Sequence, residues 1–317
     1  MARRDAAAAT DIGMGGPIER LLPAGLLPFA RLARLDRPIG TWLLLFPCWW
    51  GAGLAWATQP GIGTAQLLWL CLLFAIGSLV MRGAGCTFND IADRQIDAKV
   101  ARTALRPLPS GAVTLRGAWT FLALQLAVGA AVLFALDGAA ILVGLAALPL
   151  IAIYPFMKRV TWWPQAFLGI TFNWGALVGW VAATGEIGAP ALLLYAAGIA
   201  WTLGYDTIYA HQDREDDALI GVRSTALLFG TATRRWLVLF YGLTVALLAG
   251  AGVAAGAAWP FHLGVAGAAA HLAWQVGRVD IDRPADCLAK FRSNRWIGWI
   301  LLGGIATAGL AAGAVHG

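Results

Sequence analysis

Residues 65–97 read AQLLWLCLLFAIGSLVMRGAGCTFNDIADRQID, an apolar run that passes directly into Asn89, Asp90, Asp93 and Asp97. The apolar part, 65–88, is long enough to cross a bilayer as a helix, which needs about 20 residues. Carboxylates so near the hydrocarbon are costly and are seldom kept without a functional reason. If the helix continues through 89–97, Asn89, Asp93 and Asp97 recur every four residues on one slowly drifting face, with Asp90 at its border.

A second acidic cluster comprises Asp206, Asp213, Glu215, Asp216 and Asp217 at the end of another apolar run. Read as continuous helix, Asp206, Asp213 and Asp217 share a face with Tyr209 beside them, while Glu215 and Asp216 point elsewhere. Carboxylates so placed repel one another unless cations are present. Magnesium takes few protein oxygens and completes its shell with water and phosphate, so paired clusters of hard ligands suit a metal-bound diphosphate. The residues point to a membrane enzyme that handles a diphosphate. The plainer alternative is that each cluster only caps or solubilises a loop.

The whole chain supports a membrane setting. Of its 317 residues, 59% are hydrophobic and 13% charged, with 16 tryptophans, a composition expected of an all-α polytopic membrane protein. About nine transmembrane helices are expected, over 38–58, 65–88, 114–135, 138–157, 164–184, 189–210, 235–256, 259–277 and 295–315. Residues 1–30 read as a flexible N-terminal extension and 31–317 as a single transmembrane domain. One acidic cluster follows the second span and the other follows the sixth, which suggests two four-helix halves plus one helix around a central cavity.

If the spans alternate, all 23 Lys and Arg fall on one side, together with all 17 acidic residues except Asp137 and Glu186. The positive-inside rule then makes the N-terminus cytoplasmic and the C-terminus external. The net charge of +6 is explained by these basic loops and their attraction to lipid headgroups, with no nucleic acid required. Residues 1–20 lack the apolar core of a signal peptide and any obvious transit peptide, so a bacterial inner membrane with a periplasmic C-terminus is expected. Cys48, Cys71, Cys86 and Cys287 lack metal-like spacing and read as small packing residues. Gly51, Gly53, Gly83, Gly85, Gly175 and Gly179 suit close helix packing.

Basic residues gather near the acids. Lys99, Arg102 and Arg106 follow the first cluster, and 106–111 form a rigid turn. Their guanidinium groups suit bidentate grip of diphosphate oxygens. Arg223, Ser224 and Thr225 follow the second cluster, and Lys158 and Arg159 occupy the loop after Tyr154-Pro155.

These residues resemble the UbiA superfamily of intramembrane prenyltransferases. Asn89, Asp90, Asp93 and Asp97 match its Asn-Asp-x-x-Asp-x-x-x-Asp motif, and Asp213 and Asp217 match its Asp-x-x-x-Asp motif. The runs 34–40, 102–111, 154–159 and 205–210 are similar to the 4-hydroxybenzoate polyprenyltransferase branch. The resemblance spans about 30–230, and more loosely the rest.

It implies transfer of a polyprenyl chain from its diphosphate to 4-hydroxybenzoate, ortho to the hydroxyl, in ubiquinone synthesis. Two Mg2+ ions would be held by Asn89, Asp90, Asp93 and Asp97 on one side and by Asp213 and Asp217 on the other. Arg102 and Arg106 would assist the leaving diphosphate, and Arg94, Lys158, Arg159 and Arg37 are candidate anchors for the benzoate carboxylate. Asp206, with Tyr209 nearby, is the candidate partner of the phenol. Phe46, Trp49, Trp50, Phe172 and Trp174 are candidates to line a prenyl tunnel, and Asn173 is expected to face the bundle. Homogentisate, haem or naphthoate prenylation and divalent-cation transport are the alternatives.

Overall fold

The computed structural model describes residues 17–98 and 103–316. Among them every regular element is helical. In chain order these are α1 (Pro17–Leu21), α2 (Leu27–Leu32), α3 (Ile39–Thr58), α4 (Thr64–Asp97), α5 (Leu115–Phe134), α6 (Gly138–Ala146), α7 (Leu148–Ile153) and α8 (Met157–Val160). Then come α9 (Pro164–Phe172), α10 (Gly175–Thr184), α11 (Ala189–Ala210), α12 (Arg214–Ile220), α13 (Thr225–Phe229), α14 (Thr233–Ala255), α15 (Trp259–Arg278) and α16 (Pro284–His316). The described part of the expected N-terminal extension carries α1 and α2, joined by an ion pair between Glu19 and Arg31.

Seven stretches among the described residues are long and apolar enough to cross a membrane: 64–95, 115–134, 138–160, 164–184, 189–213, 225–255 and 284–312. Each coincides with one of the nine expected spans, several of them extended. The expected spans at 38–58 and 259–277 form α3 and α15, 20 residues each, but fall outside the seven. Trp42, Trp49, Trp50 and Trp56 lower the mean hydropathy of α3, and Trp259, His262, His271 and Gln275 lower that of α15. Four of the seven, 138–160, 164–184, 189–213 and 225–255, are not single α-helices. Pro149 and Pro155 break 138–160 into α6, α7, a 3₁₀ turn and α8, since proline removes a helical donor and crowds the preceding turn.

The chain divides into two compact units, residues 1–41 with 75–135, and residues 42–74 with 136–317. This division does not follow the expected four-helix halves. Compactness follows side-chain packing, whereas the halves were drawn from the positions of the acidic loops.

In the first unit Leu32, Ala84, Ile91, Val113, Ala118 and Leu122 form a buried cluster, with Phe29, Phe88, Leu108 and Phe121 packed on it. Thr87 donates to Gln125 Oε1 at 3.1 Å, satisfying polar groups buried between α4 and α5. In the second unit α3 and α10 meet backbone to backbone. A Cβ on Gly179 would strike the Cys48 carbonyl oxygen, and one on Gly51 would strike the Ala176 carbonyl oxygen. Gly179→Val is therefore expected to destabilise the detergent-solubilised protein by about 3 kcal/mol, the upper end for overpacking, because the struck atoms are backbone. A Tm unchanged from the parent would contradict this close approach.

Several polar side chains within the second unit's helices donate to partners inside the protein, as a bilayer demands. Asn173 is 1% exposed and donates to Gly169 O at 2.9 Å and Thr202 Oγ1 at 2.8 Å. Trp201 Nε1 donates to Asn294 Oδ1 at 2.8 Å, and Tyr241 donates to Gln275 Oε1 at 2.8 Å. Phe46 and Trp50 are buried and stacked on each other, so these two rings serve as core.

Candidate active site

The first acidic cluster lies on the last turns of α4, as the uninterrupted helix 64–97 requires. At about 1.5 Å per residue its 34 residues run about 50 Å, well beyond a hydrocarbon core of about 30 Å. The acids therefore fall beyond the apolar stretch that ends at Gln95 or within its last turns. Phe88 and Ile91 pack on the hydrophobic cluster, which turns the opposite face of the helix end toward polar partners.

Helix α4 stops where Thr103 Oγ1 donates to the Asp97 carbonyl at 2.9 Å. The turn that follows folds on itself: Arg106 N donates to Thr103 O, Ser110 N to Arg106 O, and Val113 N to Pro107 O. Gly111 takes φ +76° in this turn, a conformation glycine adopts without steric cost. Arg106 is thereby carried back onto the acids. Its Nη1 lies 2.9 Å from Asp97 Oδ2 and 3.3 Å from Asp90 Oδ1.

A second guanidinium reaches Asp90 from the other side. Arg34 Nη2 is 2.7 Å from Asp90 Oδ1, and its Nη1 donates to the Arg31 carbonyl at 3.0 Å. Arg34 is buried and holds φ +59°, the left-handed region, the one residue other than glycine to do so among those described. Asp90 is fully buried, and its Oδ2 has no hydrogen-bond partner. Asp93 and Asp97 are also buried, at 2% and 7% exposure. Burial pushes the Asp97 carboxyl above its usual range; Arg106 opposes the rise, and Asp90 and Asp93 add to it.

Among the other expected residues of this unit, Asn89 is half-buried one turn before Asp93, and Arg94 is exposed. Arg37 is half-buried with its Nε 3.1 Å from Asp36 Oδ2. Arg102 and Lys99 lie outside the described residues. Arg34 was missed as a site residue. The run 34–40 stands out in the sequence, but the burial of Asp90 that calls for a second cation shows only in the structure.

The second cluster departs from the expected continuous face. Helix α11 ends at Ala210, a 3₁₀ turn covers His211–Asp213, and α12 restarts at Arg214. The tighter turn breaks the seven-residue register between Asp206 and Asp213. Asp206, Tyr209, Asp213 and Asp217 are all half-buried. His211, buried within the turn, pairs through Nε2 with Thr233 Oγ1 at 3.0 Å. The Tyr209 ring packs on Phe291 at 4.4 Å between centroids.

The loop after α12 is tied to the Lys158 loop. Arg223 N donates to Lys158 O at 2.9 Å, and the Arg223 guanidinium donates to Val160 O at 2.7 Å. Thr225 N donates to Gln165 Oε1 at 3.1 Å, and Thr225 pairs with Thr207. Lys158 is half-buried, while Arg159 is exposed with its guanidinium 6.0 Å from the Phe156 ring. Among the described residues no three His, Cys, Asp or Glu groups converge as a ready-made metal cage.

An all-helical membrane protein with two aspartate motifs at helix ends defines a class, and comparison with known proteins supplies the family. The chain belongs to the UbiA prenyltransferase family, whose pattern matches residues 44–313. It is 49% identical over 287 residues to the mitochondrial 4-hydroxybenzoate polyprenyltransferase of Aedes aegypti, covering 90% of this chain and 64% of that protein. The enzyme of the same name from Arabidopsis thaliana is 48% identical, over 91% of this chain and 70% of that one. This chain thus spans about two-thirds of the length of these two relatives.

Among solved structures, a UbiA homologue from Aeropyrum pernix superposes with a TM-score of 0.71 at 27% identity, covering 84% of this chain and 97% of that one. A UbiA homologue from Archaeoglobus fulgidus bound to GPP and Mg2+ gives 0.61 at 20% identity, over 90% and 99%. These relatives correct one expectation. Their names place them in mitochondria, which points to a mitochondrial membrane, not the bacterial inner membrane. The cytoplasmic and periplasmic assignment of the two ends falls with it; the one-sided distribution of charge in the sequence stands.

Proposed function

We propose that this protein transfers a polyprenyl chain from polyprenyl diphosphate to 4-hydroxybenzoate, carbon to carbon, ortho to the hydroxyl. The observation that carries the reading is near-half identity, over nine-tenths of the chain, to enzymes of that name. The first aspartate motif on a single continuous helix end supports it independently.

The donor set suits magnesium: an amide and carboxylates, all hard oxygens, with one buried carboxylate oxygen, Asp90 Oδ2, lacking a partner. Asn89, Asp90, Asp93 and Asp97 would hold metal from the first cluster, and Asp213 and Asp217 from the second. Two ions would match this division. Bound magnesium supplies neutralisation of the charge that builds on the diphosphate as it leaves.

The chain's own groups do the rest. Asp90, held by Arg34 and Arg106, keeps the end of α4 in register. Arg106 binds diphosphate oxygens once the substrate competes with Asp90 and Asp97 for it, and Arg102 assists. One of Arg94, Lys158, Arg159 and Arg37 anchors the benzoate carboxylate. Asp206 accepts a hydrogen bond from the phenol, raising electron density on the ring, with Tyr209 beside it. The allylic C–O bond breaks with its electron pair going to the diphosphate, the ring carbon bonds to the prenyl C1, and the ring proton passes to a diphosphate oxygen or to water, restoring aromaticity.

The test is metal dependence in proteoliposomes given both substrates. Chelation by EDTA is expected to stop product formation, and Mg2+ in excess of the chelator to restore it. Undiminished turnover after exhaustive chelation would sink the metal-assisted reading.

A further inference from the structure

Gly85 sits one turn before Asn89 on α4, about 6 Å further toward the hydrocarbon. Unlike the other glycines of that helix segment it is not explained by packing. A Cβ on Gly83 would strike the Gln125 amide, and one on Gly77 would crowd Val132, but a Cβ on Gly85 meets nothing within 4 Å. Its backbone is ordinary helix, since it is absent from the positive-φ glycines. Inside a helix a glycine costs about 1 kcal/mol relative to alanine, so here neither the fold nor the backbone accounts for it.

The open space does not belong to the exposed side of α4. Leu72, Ile76 and Leu79 are exposed by 40–52% and point roughly 120–180° away from Gly85 on the helical wheel. Ser78, seven residues before Gly85 and within about 20° of it, is only 5% exposed. Gly85 therefore continues the inward face of α4, one turn below Asn89 and about 40° from it on the helical wheel, with Asp93 about 80° away, and is half-buried with no neighbour where a side chain would stand.

We infer that Gly85 is a specificity-determining residue that leaves room for the first isoprene unit of the prenyl diphosphate. The inference rests on the diphosphate reading of the first motif. A diphosphate held at Asn89, Asp93 and Asp97 has its allylic end directed toward the hydrocarbon, because that end is apolar and the chain it carries stays in the membrane. The group that needs the space one turn deeper is the carbon skeleton next to the departing oxygen.

The test uses the full-length protein in detergent, with Mg2+, and two probes: geranyl diphosphate and inorganic diphosphate. Gly85→Ala is the folding control, expected to keep or raise Tm because alanine favours helix and meets no atom. Gly85→Val is expected to weaken geranyl diphosphate at least about tenfold, an ordinary consequence of filling occupied space. The same variant should leave inorganic diphosphate within about twofold of the parent. Three results would overturn the inference. Unchanged affinity for both probes would show that the space is not used. Equal loss of both would show that the residue acts on the helix and not on the prenyl group. A raised KM for 4-hydroxybenzoate with geranyl diphosphate binding intact would give the space to the acceptor. If the parent protein binds neither probe, the diphosphate reading fails first and takes this inference with it.

Discussion

Asp93→Ala and Asp217→Ala are each expected to lower turnover at least about a hundredfold while the protein still inserts and folds. Loss of a single preorganised electrostatic contact to a leaving group costs a factor of that size. The two positions test the two clusters separately. Asp93 is buried on the inward face of α4, and its carboxylate cannot be replaced by water in a fixed place. Asp217 stands on the short helix α12, after the 3₁₀ turn that interrupts the second cluster. Tm measured in detergent separates the loss of turnover from any loss of fold. Near-normal activity in both variants, with normal insertion, would remove the metal-assisted account.

Arg34→Ala is expected to have the largest effect on stability. It leaves Asp90, fully buried, with a single guanidinium at 3.3 Å. Removing one partner from a buried ion pair costs about 3–5 kcal/mol; the remaining contact to Arg106 places this case near the lower end. Arg34→Gly should be less harmful by about 1 kcal/mol, because glycine accepts the φ of +59° that a side chain resists. Adding Asp90→Asn to Arg34→Ala should restore part of the loss, since the buried charge is then gone. Unfolding measured in detergent across this double-mutant cycle checks all three. Strict additivity would show that the two side chains do not interact.

Much of the fold is legible in the sequence because apolar runs of about 20 residues leave few alternatives to a spanning helix. The continuation of α4 through Asp97 is legible because no Gly or Pro follows Phe88 until the helix has ended. The break between Asp206 and Asp213 is not, because the 3₁₀ turn is set by tertiary contacts such as the buried His211 against Thr233. The role of Arg34 is hidden by a separation of 56 residues from Asp90 and by a backbone conformation that no local pattern encodes. Gly83 and Gly85 look alike in the sequence; only their surroundings show that the first meets Gln125 and the second open space. The weakly apolar tryptophan-rich α3 marks the limit of counting spans from hydropathy.

The central claim is the acceptor, and one competition measures it. Proteoliposomes with Mg2+ and a polyprenyl diphosphate receive equal 4-hydroxybenzoate, homogentisate and 1,4-dihydroxy-2-naphthoate, and the products are identified by mass. The account predicts that 3-polyprenyl-4-hydroxybenzoate dominates. A dominant product on either of the other acceptors, or none on any, would contradict it.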